Sequence, residues 1–181
     1  MSSLLFFASE VPFAKSSNPH EKLLSIHEAL ALGVKIPEYL LNGDFDRDKP
    51  KMLLYMDREI RINLDTKEIE DGNFDDDFAI RPFSPMEVFG IHTEKPYCAE
   101  LEWFRYTKGR AENVISYIKE HLQKAEELEI WHVWLDDAET PVFKRREILL
   151  SELTAEMLQE IEEVPMSFDP LVHYCYKIKK G

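Results

Sequence analysis

Cysteine and glycine are scarce in this sequence, which has 2 cysteines and 6 glycines in 181 residues. Cys98 and Cys175 are too few for a disulfide scaffold and lack the Cys-x-x-Cys spacing of a zinc or redox motif. Each lies in a strand-like run, where a buried free thiol is the common state. There is no glycine-rich phosphate loop, no nucleophile elbow and no pattern of zinc ligands. The usual signatures of an enzyme are missing, and we expect no cofactor and no metal.

Positive charge is also in short supply, because 22 Lys and Arg stand against 35 Asp and Glu, for a formal net charge of −13. Binding to a nucleic-acid backbone requires clustered basic residues, so we expect no nucleic-acid partner. Docking on anionic lipid is disfavoured for the same reason. A surface of this sign favours solubility and fast association with a basic protein.

Long apolar runs are absent. The N-terminal run from Leu4 to Ala8 has five residues, follows no positive charge and ends near Glu10, so it does not have the form of a signal peptide. No stretch approaches the ~18 apolar residues of a membrane-spanning helix. Together with the expected free thiols, these features predict a cytoplasmic protein that does not associate with membranes.

What the sequence does contain is a globular composition, 44% hydrophobic and 12% aromatic, with a regular pattern in its second half. Alternation predicts a first strand in which Ala99, Leu101 and Trp103 share one face. Three- and four-residue spacing of apolar residues from Ala111 to Ala125 then predicts an amphipathic helix, with Thr107 as a candidate cap. The further predicted elements are a strand over 128–135, a strand over 142–150, a helix over 155–162 with Thr154 as its N-cap, and a strand over 171–178.

This order of strand, helix, strand, strand, helix, strand is that of a ferredoxin-like βαββαβ sandwich, in which two helices cover one face of an antiparallel sheet. The sequence therefore predicts an α+β protein with a ferredoxin-like subdomain over residues 96–181. Residues 1–95 are predicted to form an additional, irregular α+β subdomain that extends the same sheet or stands beside it. In the ferredoxin-like topology the first and last strands are neighbours, which would place Cys98 near Cys175.

The first half has fewer clear signals. Ser25 is a predicted helix N-cap, with Glu28 at the capping-box position and Gly33 as the C-terminal stop. Strands are predicted over 4–8, 52–56 and 78–83, and the run over 58–64 is predicted to pair with the 52–56 strand or to continue it.

Two acidic heptads, over 42–48 and 71–77, resemble each other at four positions. Their flanks do not align, so they do not mark an internal repeat. Alternate carboxylates suit a calcium ion, but the Gly at position six and the Glu at position twelve of a calcium loop are missing. We therefore interpret both heptads as acidic turns built on Asn-Gly and Asp-Gly, each anchored by its own Phe (Phe45 and Phe74).

The candidate ligand or partner face lies on the predicted C-terminal sheet. Glu100, Glu102 and His132 would supply acid–base groups there, and His173 lies on another strand of the same sheet. Trp131 and Trp134 are three residues apart on one strand, so they point to opposite faces, and an exposed member of the pair would be an interface anchor. The basic triplet Lys144-Arg145-Arg146 is divided between two faces and is expected to pair with surrounding acids.

Two classes of function remain open. The first is a non-catalytic protein-binding module that engages a basic partner, of which an inhibitor or immunity-type protein is the sharpest version. The alternative is a small enzyme or ligand-binding domain that uses the open face of the C-terminal sheet. The sequence names neither the partner nor the ligand.

Overall fold

A computed structural model describes residues 2–50, 52–56, 61–62, 69–70, 74–85, 92–135, 142–164 and 172–181. The chain divides into two compact units. Residues 1–17 and 75–181 form the sheet unit, and residues 18–74 form the inserted unit. This division does not coincide with the predicted boundary at residue 95.

The described elements of the sheet unit make an α+β fold with one mixed six-stranded sheet. In chain order, its strands and helices are β1 (Ser2–Ser9), β6 (Phe78–Phe83), β7 (Tyr97–Trp103), α3 (Lys108–His121), β8 (Glu127–Leu135), β9 (Val142–Leu149), α4 (Ala155–Glu162) and β10 (Val172–Lys179). The elements of the inserted unit are β2 (Glu21–Leu24), α1 (Ile26–Ala31), α2 (Glu38–Asn42), β3 (Leu53–Met56), β4 (Arg61–Ile62) and β5 (Ile69–Glu70).

The strand order of the large sheet is β6-β7-β1-β8-β10-β9, and β9 and β10 are its parallel pair. The predicted succession of strands and helices in the second half is present, but a ferredoxin-like arrangement is not confirmed. In the observed sheet β1 pairs with both β7 and β8, so the N-terminal strand lies between two strands of the C-terminal half. Both β1 and β6 come from the first 95 residues and share this sheet.

Because β1 lies between β7 and β8, it also separates the two cysteines. Cys98 on β7 and Cys175 on β10 are three strands apart in the sheet order, or about 14 Å at the usual spacing between strands. The prediction that they are neighbours is wrong. Both are buried free thiols, and burial raises the pKa of each to about 12.

Capping residues start the helices where the sequence predicts. Thr107 accepts a hydrogen bond from the backbone N–H of Arg110 at the start of α3, and Thr154 accepts one from Met157 at the start of α4. Their apolar faces pack on the same face of the sheet, and the shared core includes Phe7, Val114, Ile118, Leu128, Ile130, Leu158 and Ile161. Because side chains alternate along each strand, a second set of residues faces the other way. That second face carries its own cluster of Leu4, Phe6, Cys98, Trp131, Val133 and Cys175.

The inserted unit has a small core of its own around Leu24, Ile26, Ala29, Ile36 and Leu40. Helix α1 begins with the predicted capping box between Ser25 and Glu28, and Gly33 follows it with φ of 70°. Strand β3 pairs with β2, and β4 pairs with β5. The described part of the 58–64 run therefore pairs with β5 and not with the 52–56 strand.

None of the helices in the described ranges is long and apolar enough to cross a membrane.

Candidate functional site: a cleft between two strands

Strands β1 and β7 pair along only part of their length. Their ladder runs from Ser9 opposite Tyr97 to Phe6 opposite Glu100 and stops there. Beyond that point, residues 2–5 of β1 pair only with β8, and residues 101–103 of β7 pair only with β6. The two strands therefore separate, and a cleft opens between them inside the sheet.

A cavity of about 260 Å³ occupies this cleft. Its lining residues come from β1, β7, β8 and α4, and they are Ser3, Leu5, Glu100, Leu101, Glu102, Trp103, His132 and Glu162. Three of the eight are glutamates, and the lining contains no lysine or arginine. Glu100, Glu102 and His132, which the sequence predicts as a group of polar side chains, border one cavity.

Glu162 stands at the last position of α4 and has the most perturbed carboxyl of the cleft. Burial raises its pKa to about 7, although a hydrogen bond from the Trp103 indole and the charge of Arg110 act in the opposite direction. Its Oε2 atom is buried and has no hydrogen-bond partner. At neutral pH this carboxyl is close to half protonated, so it can both donate and accept a hydrogen bond.

His132 projects from β8 towards the helices and is 3% exposed. Its ring hydrogen-bonds to the backbone of Ile161 in α4, and its Nδ1 atom is buried without a partner. The bond to a carbonyl therefore uses the Nε2–H, which leaves the Nδ1 lone pair as an acceptor. Burial lowers the pKa of His132 below its usual value, so the ring is neutral at pH 7.

Trp134 lies beside His132, with ring centroids 5.0 Å apart. Its indole N–H is also buried without a partner. Buried polar atoms are nearly always hydrogen-bonded in folded proteins. It is therefore exceptional that Nδ1 of His132, Nε1 of Trp134 and Oε2 of Glu162 all lack a partner among the described residues.

Glu100 and Glu102 belong to the wall of the cleft, but their side chains alternate with those of Leu101 and Trp103 and project to the opposite face of the sheet. On that face Glu102 forms an ion pair with Arg81 at 2.9 Å. The predicted triad is therefore divided by the sheet. His132 shares the helix-side face with Glu162 and not with the two predicted glutamates.

Trp131 is not an exposed anchor, because it is fully buried on the face away from the helices. Its Nε1–H donates to Glu129 at 2.7 Å, its ring stacks on Phe6, and the guanidinium of Arg145 lies 5.2 Å from the ring centroid. The split of Trp131 and Trp134 between faces is as predicted. The ring of Trp131 packs within the buried cluster on this face.

His173 is on the same face as Trp131 and is 2% exposed. Its ring is in edge contact with Phe143 and lies 5.7 Å from the ring of His92. Neither ring nitrogen has a partner in the structure. Since β8 separates the two faces here, His173 does not contribute to the cleft that contains His132.

A second buried polar site lies at the start of α3. Arg110 and Asp77 are both fully buried and pair at 3.1 Å, and Arg110 also donates to the carbonyl of Arg105 at 3.2 Å. Asp77 is the last residue of the second acidic heptad, so one member of that heptad is a core ion-pair partner and not a surface carboxylate. The sequence does not reveal this pairing, because the two residues are 33 positions apart.

The first heptad agrees with the turn interpretation. His27 pairs with Asp48 at 2.7 Å, the Asp48 N–H donates to Asp46, and the ring of Phe45 lies against Gly43. In the second heptad, residues 71–73 lie outside the described part, and Phe74 stacks on His20 at 4.3 Å. Over the described residues, no group of three or more His, Cys, Asp or Glu side chains could hold a metal ion.

Sequence reasoning missed Glu162, although a signal was present. Ala155, Leu158 and Ile161 define the buried stripe of α4, and Glu162 is seven residues after Ala155, on the same stripe. When helical periodicity places a glutamate on the buried face, burial is expected to raise the pKa of its carboxyl. Residues 155–163 contain four glutamates, and only its position on the buried face of the helix distinguishes Glu162 from the other three.

No protein-family model, no curated protein and no solved structure matches this chain. The cleft is therefore interpreted from its own chemistry.

Proposed function

We propose that this protein is a non-catalytic binding protein that takes a positively charged group into the cleft between β1 and β7. One observation carries the proposal: two buried atoms of the lining residues, Nδ1 of His132 and Oε2 of Glu162, have no hydrogen-bond partner among the residues that the structure describes. An unpaired buried polar atom costs about 1–3 kcal/mol. A ligand that pairs with both atoms recovers that cost.

The chemistry of the two atoms selects the ligand. The Nδ1 of His132 is an acceptor, since the other ring nitrogen is already engaged, and ionised Glu162 is an acceptor as well. A matching ligand must bring donors, and the ionised form of the Glu162 carboxyl favours a donor that is positively charged. A protonated amine or a guanidinium meets both conditions. Because a bound cation favours the ionised carboxyl, binding near neutral pH should release a proton from Glu162.

Two sources could present such a group, namely a free small amine or a Lys or Arg side chain of a basic protein. The net charge of −13 supports the protein source, because a negative surface accelerates encounter with a positive partner. The inhibitor or immunity-type role expected from the sequence is one form of this function.

The proposal is tested by titration calorimetry with N-acetyl-lysinamide and N-acetyl-argininamide, and with the neutral N-acetyl-norleucinamide as a reference. We expect heat from the charged compounds only, a proton release that depends on buffer ionisation enthalpy near pH 7, and loss of binding in Glu162→Gln. Glu163→Gln, which removes the exposed neighbouring carboxylate, is the matched control and should retain binding.

A second arm separates the two sources. A lysine-rich peptide and the single amino-acid amides are compared at low and high salt. Much tighter binding of the peptide, with strong salt dependence, supports a protein partner, whereas equal affinities support a free amine. Absence of binding by every charged probe, or equal binding by the neutral reference, would refute the proposal.

A proton-transfer enzyme is the second candidate, and the pKa of about 7 at Glu162 favours it. Mass spectrometry of an amine ligand after incubation distinguishes the two functions. An unchanged ligand supports binding alone, and a conversion that disappears in Glu162→Gln supports an enzyme.

A further inference from the structure

Strand β9 is the outermost strand of the large sheet and carries an unusual concentration of exposed apolar and basic residues. It pairs with β10 on one side, and across the described residues no strand pairs with its other side. Seven of its eight residues are exposed, and they include Val142, Phe143 and Leu149, with 42%, 38% and 45% of their surface accessible. An edge of this kind presents unpaired backbone N–H and C=O groups to solvent.

The basic triplet Lys144-Arg145-Arg146 occupies the middle of this edge. Among the described residues, no carboxylate forms an ion pair with any of the three. The acids just before the strand, Asp136, Asp137 and Glu139, lie outside the described residues, so the expected pairing stays a prediction. Each cation lies near an aromatic ring: Lys144 near Tyr174, Arg145 near Trp131 and Arg146 near Tyr176.

The two faces of the edge differ. Lys144 and Arg146 lie on the face that the helices cover, where they approach Tyr174 and Tyr176 of β10. Phe143 and Leu149 lie on the other face together with Arg145 and Glu147, whose carboxylate pairs with Lys179 at 2.7 Å. A strand added to this edge would therefore meet positive charge on one face and, on the other, apolar surface with one cation and one carboxylate that is already paired.

We propose that the outer edge of β9 is a docking site for an extended peptide in which acidic and apolar residues alternate. The backbone of such a peptide would pair with β9, its acidic side chains would lie beside Lys144 and Arg146, and its apolar side chains would pack near Phe143 and Leu149. This inference is independent of the function proposed for the cleft.

A second copy of the chain fits this edge poorly. In two-fold antiparallel pairing of two copies, directly opposite residues share one face of the sheet. Pairing centred on Arg145 would therefore set Arg145 opposite Arg145 and Lys144 opposite Arg146, and like charges in directly opposite positions destabilise a sheet. The charge of the edge is complementary to an acidic strand and not to itself.

The test measures fluorescence anisotropy of a labelled peptide of four Glu-Val repeats with the full chain at low salt. We expect binding that weakens at least tenfold in the double variant Lys144→Glu/Arg146→Glu. The matched control is Lys119→Glu/Lys124→Glu, which makes the same charge change at exposed positions on and just after α3 and should bind within about twofold of the unmodified protein, allowing for long-range electrostatics. A peptide with the same composition but with four Glu followed by four Val should bind at least tenfold more weakly.

Backbone pairing has its own readout. N-methylation of alternate peptide residues, on the edge that would face β9, should abolish binding, while methylation of the opposite edge should leave it intact. Hydrogen exchange of residues 142–149 should slow when the unmethylated peptide is bound.

Three outcomes would overturn the proposal. The first is no binding of the alternating peptide, and the second is binding that neither N-methylation nor the double variant weakens. The third is a dimer in solution that the double variant converts to a monomer, because a second copy would then cover the edge. In the first case the triplet serves only to keep the edge from aggregating.

Discussion

Two of the buried polar sites in the described part of the sheet unit differ in one respect. At the start of α3, Arg110 and Asp77 are completely buried and satisfy each other. In the cleft, Glu162 and His132 are mostly buried, yet each retains a polar atom without a partner. The first site is closed, and the second borders a cavity.

The difference separates a structural role from the binding role that we propose for the cleft. A buried charge pair with its hydrogen bonds complete contributes to one folded arrangement and leaves nothing for a ligand to bind. Unpaired polar atoms at a cavity cost stability and are retained where a ligand compensates for them. Burial of charge by itself does not identify a site, whereas incomplete pairing beside an open space does.

Loss of one partner at the closed site should have the largest effect. Asp77→Ala leaves Arg110 charged and unpaired in the core, and we expect the free energy of unfolding to fall by about 3–5 kcal/mol. Urea denaturation followed by tryptophan fluorescence measures the change. The double variant Asp77→Leu/Arg110→Met should recover most of it, and a loss below about 1 kcal/mol for the single variant would contradict the structural role.

The open site should respond in the opposite direction when its charge is removed. The folded pKa of Glu162, about 7, is above the ordinary value of 4.5. The stabilisation from its protonation is therefore complete below pH 4.5 and is lost as the pH rises to about 7. Relative to the unmodified chain, Glu162→Gln should gain about 1–2 kcal/mol of unfolding free energy across this window, less than the full linkage value because the side chain is partly exposed.

Denaturation of both proteins at pH 4.5, 6 and 7.5 provides the measurement. His132 is present in both proteins, so any contribution from its own ionisation largely cancels in the difference. A difference in unfolding free energy that stays constant from pH 4.5 to 7.5 would show that the Glu162 carboxyl is not perturbed.

Removal of the Trp103 indole N–H should move the pKa of Glu162 further from its ordinary value. Trp103→Phe deletes the hydrogen bond that favours ionised Glu162, so the titration midpoint of this carboxyl should rise by about one pH unit. Carbon-detected NMR of the Glu162 side chain reports the midpoint. A midpoint that is unchanged or lower in the variant would mean that the indole does not contact the carboxylate.

The smallest effect is expected from the exposed neighbour. The charge of Glu163 raises the pKa of Glu162, so Glu163→Gln should lower the titration midpoint by a few tenths of a pH unit. High salt should abolish this shift but preserve the effect of Trp103→Phe. A shift in Glu163→Gln as large as that in Trp103→Phe would indicate that long-range charge, and not the direct contact, controls the site.

Local features of this fold were predictable from the sequence. Ser25 and Thr154 act as caps because the donors that they satisfy are only three residues away, and the faces of β7 follow from its own alternation. Pairing partners were not predictable in this way. Nothing in the run from Leu4 to Ala8 specifies that it enters the sheet between β7 and β8, because that choice depends on contacts about 90 and 130 positions away.

The candidate site shows the same limit. His132 was proposed from residue type and strand position together with Glu100 and Glu102, whose side chains project to the other face of the sheet. Glu162 borders the same cavity as His132 because of where α4 crosses the sheet, which is decided by the strand order. Residue chemistry can be predicted locally, and the grouping of residues requires the topology.

The central position of β1 has a consequence for how the chain reaches its native state. During synthesis β1 leaves the ribosome long before β7 and β8, the two strands that flank it, so this apolar segment has no native partner strand until β7 is complete at residue 103 and lacks the second until β8 is complete at residue 135. Closing such distant contacts raises the contact order and slows folding. We therefore expect the strand that forms one wall of the binding cleft to be ordered late, and a chaperone that shields residues 4–8 would improve the yield of native protein.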